Sequence, residues 1–169
     1  MLLHLIRHGD ALPSDEDPAR PLSPRGREDV RRLAVFLRAN PAGATVHLWY
    51  SPIRRARETA ALLVQHLGQP VMQISKSSLM PEDDPAKIAR LLAELPPAVN
   101  LAIVGHEPHL SALATLLVTG RLAPCAFGFE KAGLLTLALD GGKHETTGHP
   151  RWVTRGAWTP APTPTGKEN

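Results

Sequence analysis

Short apolar runs alternate with amphipathic stretches along almost the whole chain, and that alternation limits the fold more than any other feature. Leu2 to Ile6 and Val46 to Tyr50 have the length of buried strands, Val71 to Ser75 reads as a short third strand, and Asn100 to Val104 as a fourth. The run from Asn100 to Val104 is nearly continuous in its hydrophobicity, as expected inside a parallel sheet. Between these runs lie helical stripes. Ser23-Pro24 opens one, with serine as N-cap and proline at the first helical position, and Val30, Leu33, Ala34 and Leu37 then share a face. Ile53, Ala56, Ala60, Leu63 and Leu67 form a second stripe, closed by Gly68. Two more helices are predicted over 86–95 and 109–119, the last stopped by Gly120.

Leu134 to Leu139 reads as a fifth strand, and Asp140-Gly141-Gly142 as a turn back onto Arg151 to Thr154, which makes an antiparallel edge. Alternation of this kind predicts an α/β fold. The architecture expected is a three-layer α/β/α sandwich with a mostly parallel sheet and an antiparallel edge strand. No repeat or linker divides the chain. A single domain over residues 1–158 is expected, with 159–169 as a loose, proline-containing tail.

Bulk properties exclude several classes. No apolar run approaches a membrane span. Lys+Arg number 19 against 16 Asp+Glu, a net charge of +3. That surplus is too small and too dispersed for a nucleic-acid binder, but suits one anionic ligand. The start of the chain lacks the features of a signal peptide, and the single cysteine, Cys125, forms no internal disulfide. A cytoplasmic protein is therefore expected. Cys125 itself is read as a small apolar filler beside Phe127 and Phe129.

Three predicted strand ends carry chemistry. Arg7-His8-Gly9 follows the first strand, Arg54-Arg55 comes just after the second, and Gly105-His106 follows the fourth. In open α/β sheets ligands sit at the carboxyl ends of the strands. If these strands are parallel neighbours, two imidazoles and at least two guanidiniums meet in one pocket. Such a cluster of cationic groups is unfavourable unless an anion shares it, and arginine offers phosphate oxygens a planar pair of donors. His8 reads as a nucleophile that accepts a phosphoryl group, and Arg7 as a clamp on that group's oxygens. Arg55 and a protonated His106 are expected to stabilise its charge. The nucleophile must be a neutral imidazole, whose second nitrogen should donate to a backbone carbonyl.

Metal catalysis is not expected. His106-x-x-His109 and His144 to His149 both miss the four-residue spacing of a helical zinc pair. His109, in the first turn of a helix, is a candidate substrate contact. Of the arginines flanking Arg55, a solvated or salt-bridged role fits Arg57 better than Arg54.

Arg7-His8-Gly9, Ser51-Pro52-x-x-Arg55-Ala56-x-x-Thr59 and Gly105-His106 together resemble the histidine phosphatase superfamily, also called phosphoglycerate-mutase-like. Arg20-Pro21-Leu22-Ser23-x-x-Gly26 and Val104-Gly105-His106-Glu107-Pro108-His109-Leu110 are similar to the SixA-type phosphohistidine phosphatases within it. The resemblance implies a phosphoglycerate-mutase-like fold, His8 as the phosphorylated nucleophile, and Arg7, Arg55 and His106 as the phosphate pocket. It also implies that Arg20 reaches the phosphate and that no metal or other cofactor is needed.

Larger members of the family carry a proton-donating carboxylate after the third strand. Here Ser78 occupies that slot before Leu79, and Glu82 and Asp83 lie out of register. That departure suits a leaving group needing little protonation, such as the imidazole of phosphohistidine. The implied partner is a phosphorylated protein, such as a histidine phosphotransfer domain. Two alternatives stand beside it. One is a phosphatase of small phosphorylated metabolites with Glu82 or Asp83 as acid. The other is a non-catalytic phosphate-binding module.

Overall fold

The computed structural model describes residues 1–40 and 47–161. Six strands and four α-helices alternate: β1 (Leu2–Arg7), α1 (Pro24–Arg38), β2 (His47–Tyr50), α2 (Arg54–Leu67), β3 (Met72–Ser75), α3 (Pro85–Ala93), β4 (Leu101–Gly105), α4 (His109–Thr119), β5 (Leu134–Lys143) and β6 (Pro150–Trp158). The sheet order is β3-β2-β4-β1-β5-β6. Contacts between β1 and β4, β4 and β2, and β2 and β3 are parallel. β5 runs antiparallel to both β1 and β6, so it alone is reversed. The α/β sandwich is as expected from the sequence, although the reversed strand lies one position in from the edge.

Side chains alternate across β1 and divide the core in two. Leu3 and Leu5 join Ile88, Leu92, Leu110, Leu113 and Leu117, contributed by α3 and α4. Ile6 joins Val30, Leu33, Ala60 and Leu63 beneath α1 and α2. All of these are buried, and burying each large aliphatic side chain contributes about 1.5–3 kcal/mol before conformational entropy is set against it. Trp49 and Trp152 are packing residues, buried in the first of these clusters.

The helix ends obey the signals in the sequence. The Ser23 hydroxyl accepts from the Gly26 amide and caps α1. Gly68 and Gly120 end α2 and α4 in left-handed conformations, with φ of 71° and 73°. α3 ends at Ala93, two residues earlier than predicted. The predicted start of β2 at Val46 and the tail beyond residue 161 lie outside the described residues.

The β5–β6 hairpin departs from expectation. Asp140-Gly141-Gly142 does not turn the chain. β5 continues to Lys143, with a register shift between Leu139 and Lys143. The Asp140 carboxylate accepts from the Gly142 amide at 2.8 Å and from Arg151 Nε across the hairpin at 2.6 Å. The dipeptide that signals a turn is thereby absorbed as an irregularity in the ladder, and the chain reverses over 144–149 instead. Cys125 is exposed, because the segment between α4 and β5 runs over the surface there rather than into the core.

Candidate active site

The residues that leave the sheet after β1, β4 and β2 extend its ladder by one step. The His8 amide donates to the Gly105 carbonyl at 3.0 Å, and the Ser51 amide to the Val104 carbonyl at 3.1 Å. These bonds set His8, Ser51 and His106 side by side at the carboxyl edge of three adjacent parallel strands. The rings of His8 and His106 stand 5.0 Å apart, tilted by 55°. Both histidines are buried.

His8 has a defined tautomer. Its Nδ1 lies 2.7 Å from the Gly9 carbonyl, which only accepts, so Nδ1 carries the proton. Arg55 Nε, which only donates, lies 3.0 Å from His8 Nε2. The lone pair is therefore on Nε2, and the carbonyl required by the sequence reading is that of Gly9. Burial, then Arg55, Arg7 and Lys131, push His8 from 6.5 down to about 4, against the opposing pull of the Gly9 carbonyl. At pH 7 the ring is neutral.

His106 Nε2 lies 2.9 Å from the Ser51 hydroxyl. Burial, then His8, Arg55, His109 and Arg7, push His106 down to about 3. The expected protonated His106 is thus not the form that these surroundings favour. A buried ring among cations is neutral at pH 7.

Arg55 projects from the first turn of α2. Its own pKa is lowered by burial and then by the charges of Arg20 and Arg7, which places all three guanidiniums within electrostatic reach of one another. Arg20 itself has a left-handed backbone, with φ of 48°, and its Nε donates to the Leu12 carbonyl at 3.2 Å. Arg7 Nη1 donates to the Phe129 carbonyl at 2.6 Å. The loop carrying Phe129 is tied to β1 in turn, through Arg7 N to Gly133 O and Ala132 N to His8 O.

Arg54 is the salt-bridged neighbour of Arg55. It pairs with Glu58 at 2.8 Å and Asp17 at 3.6 Å; Arg57 is exposed, as its expected solvated role requires, but Arg54 is not the less engaged of the two. The reason is local: Glu58 lies one helical turn on from Arg54 and also binds Arg27 and the Leu22 amide.

The remaining candidates are His109 and the acidic residues before α3. His109 is buried, within electrostatic reach of His106, Asp83 and Asp84, and neither ring nitrogen has a hydrogen-bond partner. Glu82 is exposed on the loop before α3. Asp83 is occupied there, accepting from the Met80 amide at 2.9 Å and facing Lys87 at 3.6 Å. Among the described residues no group of three or more histidine, cysteine, aspartate or glutamate side chains could hold a metal ion.

Several supporting residues escaped the sequence reading. The Thr59 hydroxyl accepts from the Gly9 amide at 3.0 Å and donates a hydrogen bond to the Arg55 carbonyl at 2.7 Å, tying α2 to the loop after β1. Ser51 and Thr59 both lie inside the Ser51-to-Thr59 motif, so a signal for them existed. The Phe129 carbonyl had none, because it is a backbone atom. Lys131 pairs with Asp10 at the mouth of the site. Beside Arg7 a cleft of about 490 Å³ opens, lined also by Asp10, Arg25, Lys131 and Pro160. Pro160, and with it the start of the expected tail, thus borders the cleft next to the site.

Two neutral imidazoles ringed by guanidiniums at the carboxyl edge of a parallel sheet define a protein that handles a phosphoryl group. The comparisons specify which. A model of the histidine phosphatase superfamily (branch 1) matches residues 3–77. An uncharacterised protein of a Picosynechococcus strain is 30% identical over 143 residues, covering 81% of this chain and 84% of that one. The chain belongs to the histidine phosphatase superfamily.

Solved structures share the fold. The protein histidine phosphatase SixA, complexed with tungstate, superposes with a TM-score of 0.77 at 23% identity, over 93% of this chain and 96% of that one. A mycobacterial glucosyl-3-phosphoglycerate phosphatase superposes with a TM-score of 0.70 at 18% identity, over 95% of this chain and 99% of that one.

Proposed function

We propose that the protein is a phosphohistidine phosphatase that removes phosphate from a phosphorylated protein through a phosphorylated His8. One observation carries this reading. The His8 ring is neutral, its Nδ1–H donates to the Gly9 carbonyl, and its Nε2 lone pair faces Arg55.

Two displacements follow. His8 Nε2 attacks phosphorus, the bond from phosphorus to the leaving nitrogen breaks, and its electron pair stays on the departing imidazole. Water then attacks the phosphorus, the bond to Nε2 breaks, and inorganic phosphate leaves. Arg55 Nε must first release Nε2, and the natural exchange is onto the arriving phosphoryl oxygens, which Arg7 and Arg20 share with it. The dianion's charge favours the imidazolium form of His106, so binding takes up a proton there. Phosphate affinity therefore falls as pH rises through the bound-state pKa of His106.

The leaving group decides the substrate class. A phosphohistidine ring protonated on its other nitrogen releases neutral imidazole, whose conjugate acid has a pKa of about 6.5, whereas an alkoxide requires a proton from the enzyme. Exposed Glu82 and engaged Asp83 are poorly suited to give one. The structural likeness to SixA supports this reading. The likeness to a glucosyl-3-phosphoglycerate phosphatase, with the cleft beside Arg7, favours a second: a phosphatase of small phosphorylated metabolites.

A panel of phosphohistidine protein, phosphoserine, phosphotyrosine and sugar phosphates separates the two. Preference for phosphohistidine is the expected result. Faster turnover of sugar phosphates, lost in Glu82→Gln or Asp83→Asn, would replace the first reading by the second. Phosphate binding without turnover of any donor would leave a non-catalytic module.

A further inference from the structure

Glu107 follows His106 directly and has no part in the two displacements. Its Oε2 accepts from the Ser111 hydroxyl, one helical turn along α4. Its Oε1 is buried and has no hydrogen-bond partner. Arg7 pairs with Gly105 in the β1–β4 ladder, two residues before Glu107, and shows the complementary defect. Arg7 Nη1 is tied to the Phe129 carbonyl, while Arg7 Nε is buried without an acceptor. Buried donors and acceptors are rarely left unmatched, because each has given up water for nothing in return. The two groups feel one another. Burial raises the Glu107 carboxyl above its ordinary value, and the Ser111 hydroxyl and the Arg7 charge hold it back down.

The geometry points to Glu107 as a positioning residue for Arg7: its free Oε1 takes the Arg7 Nε–H across one bridging water and fixes the plane of the guanidinium. Phe129 holds one end of the fork and Glu107 the elbow. The Nη2 group and the second Nη1 hydrogen then face the phosphoryl oxygens in a fixed orientation. Ser111 sets the carboxylate, the carboxylate sets Arg7, and Arg7 binds the anion. This rests on the reading of His8 and Arg7 as a phosphoryl site and adds a residue whose sign of effect is unexpected. A nearby carboxylate that acts only through its charge repels an anion, so its removal should tighten phosphate binding. A positioning carboxylate does the reverse.

The test is the dissociation constant of inorganic phosphate, measured by calorimetry on the full chain, for the wild type and for Glu107→Ala, Glu107→Gln, Arg7→Ala and the Arg7→Ala/Glu107→Ala pair. Glu107→Ala is expected to weaken phosphate binding about tenfold, as loss of orientation does. Glu107→Gln keeps an acceptor and should stay within about threefold of wild type. In the Arg7→Ala background, Glu107→Ala should have no further effect. Unchanged or tighter binding in Glu107→Ala overturns the inference, as does equal weakening in both backgrounds. If Glu107→Ala does not fold, Ser111→Ala takes its place, with a smaller weakening that again must vanish without Arg7. Wild-type affinity in Arg7→Ala itself would instead refute the phosphoryl-site reading beneath it.

Discussion

At position 8 a single imidazole must be neutral, correctly protonated and aimed, and each condition has an identifiable cause. Burial keeps it neutral, the Gly9 carbonyl fixes its proton, and Arg55 marks where its lone pair points. Arg55→Ala removes a donor to the transferring group and should lower kcat about a hundredfold or more, with KM changed less. Steady-state kinetics on phosphohistidine protein checks this.

The depressed pKa values also bear on stability. His8 and His106 titrate at about 4 and about 3 in the fold, against 6.5 when unfolded. Below pH 6.5 the unfolded chain therefore binds more protons than the native one. The stabilisation is whole above pH 6.5 and is lost as pH falls toward 4 and then 3, by a few kcal/mol in all as an order of magnitude. Thermal melts at pH 7.5 and 4.5 should show the loss, and His8→Gln should show a smaller one; parallel curves would contradict it.

Among the elements, α1 bears on the site through its closest contact. A Cβ on Gly26 would lie 2.1 Å from the Asp10 carbonyl oxygen, so the first turn of α1 rests directly on the backbone two residues beyond His8. Gly26→Ala should destabilise the fold by about 1–3 kcal/mol or more and weaken phosphate binding with it. Chemical denaturation and calorimetry would measure both, and a wild-type midpoint would contradict the packing.

Periodicity was sufficient to locate all four helices and the strands from β1 to β4, because each presents one apolar face or a wholly apolar run. It failed at Asp140-Gly141-Gly142, where Arg151 and the Gly142 amide hold a turn-like sequence inside the ladder. Pairing across a hairpin is a tertiary fact that local signals do not contain. Arg54 needed both kinds of information: helical spacing puts Glu58 within its reach, but only the fold brings Asp17 to it from a distant loop.

Across the whole molecule, the order of the sheet makes the site. β1 lies between parallel β4 and antiparallel β5, with β2 just beyond β4, so residues 8, 51 and 106 converge although they are far apart in sequence. His8, Arg7, Arg55 and His106 were readable because each lies at, or a few residues beyond, the end of a recognisable strand. Phe129 and Lys131 were not, since a backbone carbonyl and a loop side chain carry no strand-end signature, while Glu107 lay inside the Val104-to-Leu110 motif with no chemistry of its own to single it out.

Rapid-quench labelling with a phosphohistidine protein donor tests the central claim most directly. One acid-labile, base-stable phosphate per chain is expected, mapping by mass spectrometry to His8 and absent from His8→Ala, which should also lose turnover. Full turnover by His8→Ala, or label on any other residue, would contradict it.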